Sequence, residues 1–240
     1  MTRPLSSKLA LCAFVFAALA APVAAADDGP STGGTQAPPP PKTDGVITAQ
    51  GTQITVATRA GAMLRKLARF RGSVAAAAAG RTVTIERFDD AAQAWTAVAD
   101  TTVQADGTYL ARWRTKAAGV FRVRAVLQSG SPASAASASP ELTISVHRPA
   151  VATWYGPGFY GRRTACGVRM SRTLLGVAHK KLPCGTQVAV LYKGRRITVP
   201  VVDRGPFRHG TSYDLTVATA QALRFEHTDR LGAIRMRTAE

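Results

Sequence analysis

From residue 45 onward, apolar and polar residues alternate in short runs, and this period of two limits what the chain can fold into. Successive strand side chains point to opposite faces, so such runs build sheets with one buried face. Val83 and Ile85 sit between Thr82, Thr84 and Glu86, and Phe121, Val123 and Ala125 alternate with Arg122 and Arg124. Further strands are predicted over 53–58, 68–74, 95–102, 108–115 and 142–146. Asp106-Gly107 supplies a turn between two of them. About seven short strands over residues 45–148 predict an immunoglobulin-like sandwich. The stretch Ser129–Pro140 (SGSPASAASASP) reads as a long loop before the last strand, or as a linker that would orphan it. No catalytic cluster falls in this domain, which reads as a spacer or binding module.

Residues 149–152 read as a short junction into a second domain, 149–240. There the predicted strands cover 152–155, 174–178, 187–192, 196–202, 213–215 and 233–237. Thr216 is placed to cap one short helix over Val217–Leu223. Six strands and one helix in so short a segment predict a small closed barrel, and the chain as a whole is all-β. Hydrophobic residues, 46% of the chain, suffice for packed cores.

The N-terminus carries a different signal. A positive start through Lys8 precedes an apolar run from Leu9 to Ala20, broken by Pro22 and followed by Ala24-Ala25-Ala26. That pattern predicts a secretory signal peptide over residues 1–26. The run falls short of the roughly 20 residues that span a bilayer, so no membrane span is expected after cleavage. Cys12 lies inside the run behind Leu11, which argues against a lipoprotein cysteine. Residues 27–44 are rich in Gly, Pro, Ser and Thr, and Pro38–Pro41 favour polyproline II, so this segment reads as a disordered tether. The expected location is outside the cell, in the envelope or wall.

Export changes the meaning of the charge. The chain has 31 Lys+Arg against 14 Asp+Glu, a net +17, and loses only Arg3 and Lys8 with the signal. Inside a cell such a surplus would point to nucleic acid; outside, the polyanions are wall polymers and anionic lipid surfaces. Zinc-finger spacing, RNA-binding aromatic motifs and long basic helices are all missing from the sequence, so nucleic acid is not an expected partner. The charge is also spread, with 13 basic and 6 acidic residues over 45–148 and 15 and 5 over 151–240. A generally basic surface without a single partner is the bland alternative.

Two cysteines remain after signal cleavage, Cys166 and Cys184. An even pair in an oxidising compartment predicts a disulfide. Two cysteines without nearby ligand spacing make a poor zinc site, and no two of the four histidines have ligand spacing. No metal and no cofactor are expected.

The second domain carries an ordered set of motifs. Trp154-Tyr155-Gly156, Thr164-Ala165, His179-Lys180 with Leu182-Pro183, Gly185-Thr186, Asp203-Arg204-Gly205-Pro206-Phe207 and Asp214-Leu215-Thr216 occur in that order. The set resembles the rare lipoprotein A family of double-psi β-barrels, related in fold to the first domain of plant expansins. The resemblance covers about 90 residues and implies a six-stranded double-psi barrel with a glycan-binding groove, here in a disulfide-containing variant. Some members are lytic transglycosylases acting on peptidoglycan strands stripped of peptide, so the implied partner is peptidoglycan or another wall glycan.

Glycosidic cleavage needs an acid at the leaving oxygen and usually a second carboxylate. A lytic transglycosylase can do with less, because the muramyl 6-hydroxyl attacks its own anomeric carbon and one group can serve as acid and then base. Asp203 ends the run ITVPVVD and opens a Gly-Pro turn, so it is the first candidate acid/base; the alternative is turn capping. Asp214, just ahead of the helix, is a second groove carboxylate or a helix-start acid. If the two lie close, repulsion raises one of their pKa values, unless Arg204 turns inward. The resemblance makes His179 a third catalytic candidate and places Thr164 and Arg204 among the substrate-binding residues. Trp154 and Tyr155 can offer a flat face to sugar; alternation favours Tyr155 for the groove and Trp154 for the core. Glu226, Asp229 and Glu240 read as surface, as do His147, His209 and His227.

One departure bears on activity. Where active members of the family carry a Glu after the Gly that follows Thr-Ala, this chain has Gly167-Val168, and valine moves no proton. The primary expectation is a lytic transglycosylase of peptidoglycan with Asp203 as acid/base. The alternatives are a non-catalytic glycan-binding or expansin-like wall-loosening protein, and a cell-surface protein partner or inhibitor.

Overall fold

A computed structural model describes residues 42–43, 45–129 and 136–236. The predicted signal peptide, the tether apart from residues 42–43, the middle of the Ser129–Pro140 stretch and residues 237–240 lie outside the described residues.

The described chain opens with β1 (Lys42–Thr43), and the first lobe with β2 (Val46–Gln50), β3 (Thr55–Arg59), β4 (Gly61–Met63) and β5 (Leu67–Ser73). It continues with β6 (Thr82–Asp89), β7 (Ala94–Thr102), β8 (Thr108–Arg114), β9 (Gly119–Leu127) and β10 (Ser137–Ala138). One sheet runs β2-β3-β5-β8. The other runs β7-β6-β9 and on to β11 (Leu142–Tyr155), with β10 on β9 and β4 along β11. Their inner faces share a core that includes Phe70, Ile85, Trp113, Leu127 and Ile144, the sandwich predicted from alternation. The strands β2 and β4 were not foreseen, being short and weakly patterned.

The second lobe adds β12 (Val177–Ala178), β13 (Gln187–Tyr192), β14 (Arg195–Asp203), β15 (Tyr213–Thr216), α1 (Val217–Leu223) and β16 (Asp229–Arg235). Its sheet runs β15-β12-β14-β13-β16-β11 and closes where β11 pairs with β15. The pairs β11–β15 and β12–β14 are parallel and the rest antiparallel, a closed mixed six-stranded barrel as expected for the double-psi fold. Val177, Val188, Val190, Val199, Leu215 and Leu231 fill it. Thr216 caps α1 as predicted, its hydroxyl accepting from the Thr219 amide. The strand expected over 174–178 shrinks to its last two residues, and the last strand starts four residues earlier than expected.

Gly176 explains the short β12. The hydroxyls of Thr216 and Thr219 both accept from its N–H, and its carbonyl accepts from the Thr216 amide as well as from the two hydroxyls, so side chains take the N–H a longer strand would use. A Cβ on Gly176 would lie 2.5 Å from the side chain of Val202, so only glycine fits between helix and strand.

The lobes share one strand. Residues 149–152, read from sequence as a junction, are the middle of β11. Its first part pairs with β9 and β4, its centre with β16 and its end with β15. The backbone of residues 42–43, read as part of the tether, pairs with Arg195–Arg196 of β14.

His147 lies on β11 between the lobes and is fully buried, which corrects its reading as a surface residue. A Cβ on Gly232 would come within 2.6 Å of both His147 and Met63, so the seam closes around glycine. The Nδ1 of His147 faces the Ala62 carbonyl at 3.4 Å, and Nε2 has no partner. Burial, with the nearby Arg196 charge, pushes its pKa down to about 4. The unfolded chain therefore binds a proton between pH 6.5 and 4 that the folded chain does not. Stability is expected to hold above pH 6.5 and to fall by about 3 kcal/mol as pH drops through this window. Denaturant unfolding at pH 7 and pH 4.5 reads this, and His147→Gln should flatten the difference.

Cys166 and Cys184 form the expected disulfide, 18 residues apart in sequence. It ties the 161–170 hairpin to the turn that precedes β13. Reduction, or Cys166→Ala with Cys184→Ala, is expected to cost about 3 kcal/mol in unfolding free energy on loop entropy alone. Unfolding curves with and without reductant measure it.

Candidate functional site

A bulge aims the first carboxylate. Along β12 and β14 the register passes from Val177↔Val201 to Ala178↔Asp203, so Val202 is the extra residue. Val202 stays buried against Gly176, and Asp203 moves opposite Ala178. On the other side of β12, Ala178 pairs with Asp214, and Asp214 pairs with Thr153 of β11. Paired residues on adjacent strands share a face, so Asp203, Ala178, Asp214 and Thr153 form a row across four strands. All four line a cavity of about 580 Å³. Alanine at the centre of the row leaves the space between the two carboxylates open.

The carboxylates differ in their surroundings. Asp203 Oδ1 accepts from the Ala165 and Arg204 amides, both at 2.8 Å, and Oδ2 from the Tyr155 hydroxyl at 3.1 Å. Three of about four acceptor positions on the carboxylate are thereby filled. Burial pushes the Tyr155 hydroxyl pKa up, with the Asp203 charge adding to it, so the phenol keeps its proton and donates. Asp214 accepts one bond, from the Thr153 hydroxyl at 2.7 Å. Burial raises its pKa from the ordinary carboxylate value; the Thr153 bond opposes this and the Asp203 charge adds to it. The cavity thus pairs a well-held acceptor with a carboxyl that retains its proton to higher pH.

The rim is aromatic. Trp154, Phe159 and Phe207 line the cavity and are 39%, 49% and 83% exposed. Trp154 is therefore not core: its indole N–H donates to the Glu226 carbonyl at 3.0 Å and its ring stays at the surface. Tyr155 is half-buried, and its ring meets Phe159 edge to face. Phe159 and Phe207 were not singled out from sequence, although Phe207 closes the Asp-Arg-Gly-Pro-Phe motif; exposure of a phenylalanine is not written in its spacing.

Other expected site residues lie elsewhere. His179 lines a different cavity, its ring tilted against that of Tyr213 with ring centres 4.9 Å apart. Its Nδ1 accepts from the Lys181 and Leu182 amides, and only its main chain meets Asp203, through N–H to the Asp203 carbonyl. Arg204 lines the main cavity, but its guanidinium donates to the Leu182 carbonyl at 2.9 Å and, at 3.4 Å, to that of His179. Thr164 closes its own hairpin, its hydroxyl accepting from the Val168 amide. Val168 is exposed on that hairpin and does not line the cavity. Among the described residues no group of three or more His, Cys, Asp or Glu could hold a metal ion, and no helix is long and apolar enough to cross a membrane.

A family model described as lytic transglycolase matches residues 148–238. A Synechocystis protein named "Probable endolytic peptidoglycan transglycosylase RlpA" is 46% identical over 83 residues, 34% of this chain and 26% of that protein. A protein of the same name from Aquifex aeolicus is 46% identical over 74 residues, 30% of this chain and 33% of its own length. The "Endolytic peptidoglycan transglycosylase RlpA" of Campylobacter jejuni is 41% identical over 75 residues, 30% of this chain and 27% of that protein. The chain thus spans about a quarter to a third of the length of these relatives. With its strand order closed as described and Asp203 and Asp214 brought to one groove, the segment 148–238 is a double-psi β-barrel of the rare lipoprotein A-like kind.

Proposed function

We propose that this protein is exported to the cell envelope and cleaves peptidoglycan glycan strands by lytic transglycosylation in the groove between Asp203 and Asp214. The relatives' names supply the substrate class. The observation that carries the proposal is the row Asp203–Ala178–Asp214–Thr153, with two carboxyl groups in unlike surroundings across an open cavity. The acid/base task expected of Asp203 alone is then divided. Asp214, protonated, gives its proton to the glycosidic oxygen as the bond to the anomeric carbon breaks. The muramyl 6-hydroxyl attacks that carbon and passes its proton to the one acceptor position left on Asp203. The products are a 1,6-anhydro end and a free 4-hydroxyl, with no water consumed, and the proton returns from Asp203 to Asp214. Trp154, Phe159 and Phe207 stack on the sugar faces.

A second reading, glycan binding without cleavage, is favoured by one observation: the aromatic rim serves binding whether or not the carboxyls move protons, and Val168 supplies no third carboxyl.

Purified protein incubated with peptide-stripped glycan strands is expected to release anhydro-muramyl fragments, read by mass. Asp214→Asn and Asp203→Asn should each lower the release by about 10²-fold or more while leaving sedimentation with cell walls close to wild type. Cleavage should fall as pH rises through the elevated pKa of Asp214. Release of fragments by neither wild type nor Val168→Glu would favour the binding reading.

A further inference from the structure

The two sheets of the sandwich treat arginine in opposite ways. On the sheet β7-β6-β9, Arg87, Arg122 and Arg124 each meet a carboxylate and each lie over a Phe or Trp ring. The strands β2, β3, β5 and β8 carry Arg59, Arg69, Arg71, Arg112 and Arg114 and contain no Asp or Glu. All five arginines are exposed. Among the described residues none of them meets a carboxylate or lies over an aromatic ring.

Strand register fixes these charges side by side. Along β5 and β8 the side chains alternate, Phe70 and Trp113 into the core and the arginines outward. Arg69 pairs with Arg112 across the strands, Leu67 with Arg114, and Arg71 with Leu110 on one side and Ala57 on the other. Neighbouring strands lie about 4.8 Å apart and alternate residues about 7 Å apart along a strand, so the guanidinium stems rise from one compact patch. Like charges directly opposite each other cost stability, and no acid on these strands relieves them. A bound anionic surface does.

The face also carries aliphatic side chains. Val46 and Leu67 are 68% and 40% exposed, and with Arg59, Lys66, Arg69 and Arg71 they line a hollow of about 490 Å³. The aromatic residues of the four strands, Phe70, Tyr109 and Trp113, are all buried in the core, so no ring is left to stack on a base or a sugar. Each guanidinium can take a phosphate of its own through paired N–H bonds. A soluble phosphate polymer would use those bonds and leave the aliphatic tips in water. An anionic bilayer uses both, with its many phosphates at the arginines and its acyl boundary at Val46 and Leu67.

We infer that the outer face of the β2-β3-β5-β8 sheet docks this protein on the surface of an anionic phospholipid bilayer, through Arg69, Arg71, Arg112 and Arg114 with Val46 and Leu67. No residue of the cleavage groove takes part, so the docking face stands apart from the lytic chemistry.

The test uses residues 27–240, the form expected after signal cleavage, which contains every described residue. The protein is sedimented with vesicles of phosphatidylcholine alone and of equal parts phosphatidylcholine and phosphatidylglycerol. Binding is expected to be at least about tenfold tighter to the anionic vesicles. Arg69→Gln and Arg112→Gln should each weaken it about fivefold without lowering the thermal midpoint, because either change relieves the like-charge pair. Arg122→Gln makes the same change in net charge on the other sheet and should leave vesicle binding at the wild-type level. Val46→Ser together with Leu67→Ser should weaken binding about tenfold, most visibly at high salt, where charge attraction is screened. Equal binding to both vesicle types, equal effects of Arg112→Gln and Arg122→Gln, or indifference to the serine pair would overturn the inference. Soluble polyphosphate bound as tightly as the anionic vesicles would also overturn it, because the face would then be a site for phosphate polymers. No glycan is present in this assay, so its outcome and that of the cleavage assay are read separately.

Discussion

Everything in this molecule hangs on the backbone pairing of one fourteen-residue strand, β11. A strand buried between neighbours must find partners for its N–H and C=O groups along both edges, since an unpaired buried group is costly. β11 meets that demand by changing partners: β9 and β4 in the sandwich, β16 at the centre, then β15 where the barrel closes. The lobes are consequently not beads on a linker. The strand that closes the sandwich core with Ile144 also delivers Thr153, Trp154 and Tyr155 to the groove. The seam is tightened by Arg196, whose guanidinium reaches the Ser145 hydroxyl, and by the contact of Gly232 with His147.

The chemistry of the groove follows from a short strand and a bulge. The hydroxyls of Thr216 and Thr219 take the N–H of Gly176, next to β12, which is two residues long. Its Ala178 then separates Asp203 from Asp214 with nothing larger than a methyl group. One carboxylate accepts from three donors supplied by the strand end, the disulfide-tied hairpin and β11; the other has a single hydroxyl and a drier setting. Unlike environments for neighbouring carboxyls are what acid and base work at one site require. The disulfide belongs to this arrangement, because Cys166 adjoins Ala165, whose amide holds Asp203.

Alternation along β15 separates Asp214 on the groove from Tyr213 beside His179. His179, grouped from sequence with the groove, lies one residue past the end of β12 and lines the other cavity, its Nδ1 held by the Lys181 and Leu182 amides. The sandwich reaches the cavity under His179 through Ala118 and Gly119.

The sequence by itself determined the elements whose signal is local. Period-two alternation gave most of the sandwich strands, Thr216 gave the helix and its start, and the two cysteines left beyond the predicted signal peptide gave the disulfide. The order of motifs gave the double-psi barrel, and the Asp203 and Asp214 motifs fall together in the groove. Tertiary structure decided what depends on partners distant in the chain. It fused the two strands predicted around residues 149–152 into one, because β16 pairs with Arg148 to Ala152 and bridges the sandwich pairing of residues 142–146 and the barrel pairing of residues 152–155. It buried His147 at a seam that exists only when the lobes meet, and kept Trp154 at the surface by tying its indole to Glu226. It also set the two carboxyls apart in character. Their neighbours Tyr155, Ala165 and Thr153 are 38 to 61 residues away in sequence, and no spacing along the chain encodes which hydrogen bonds a carboxylate will accept.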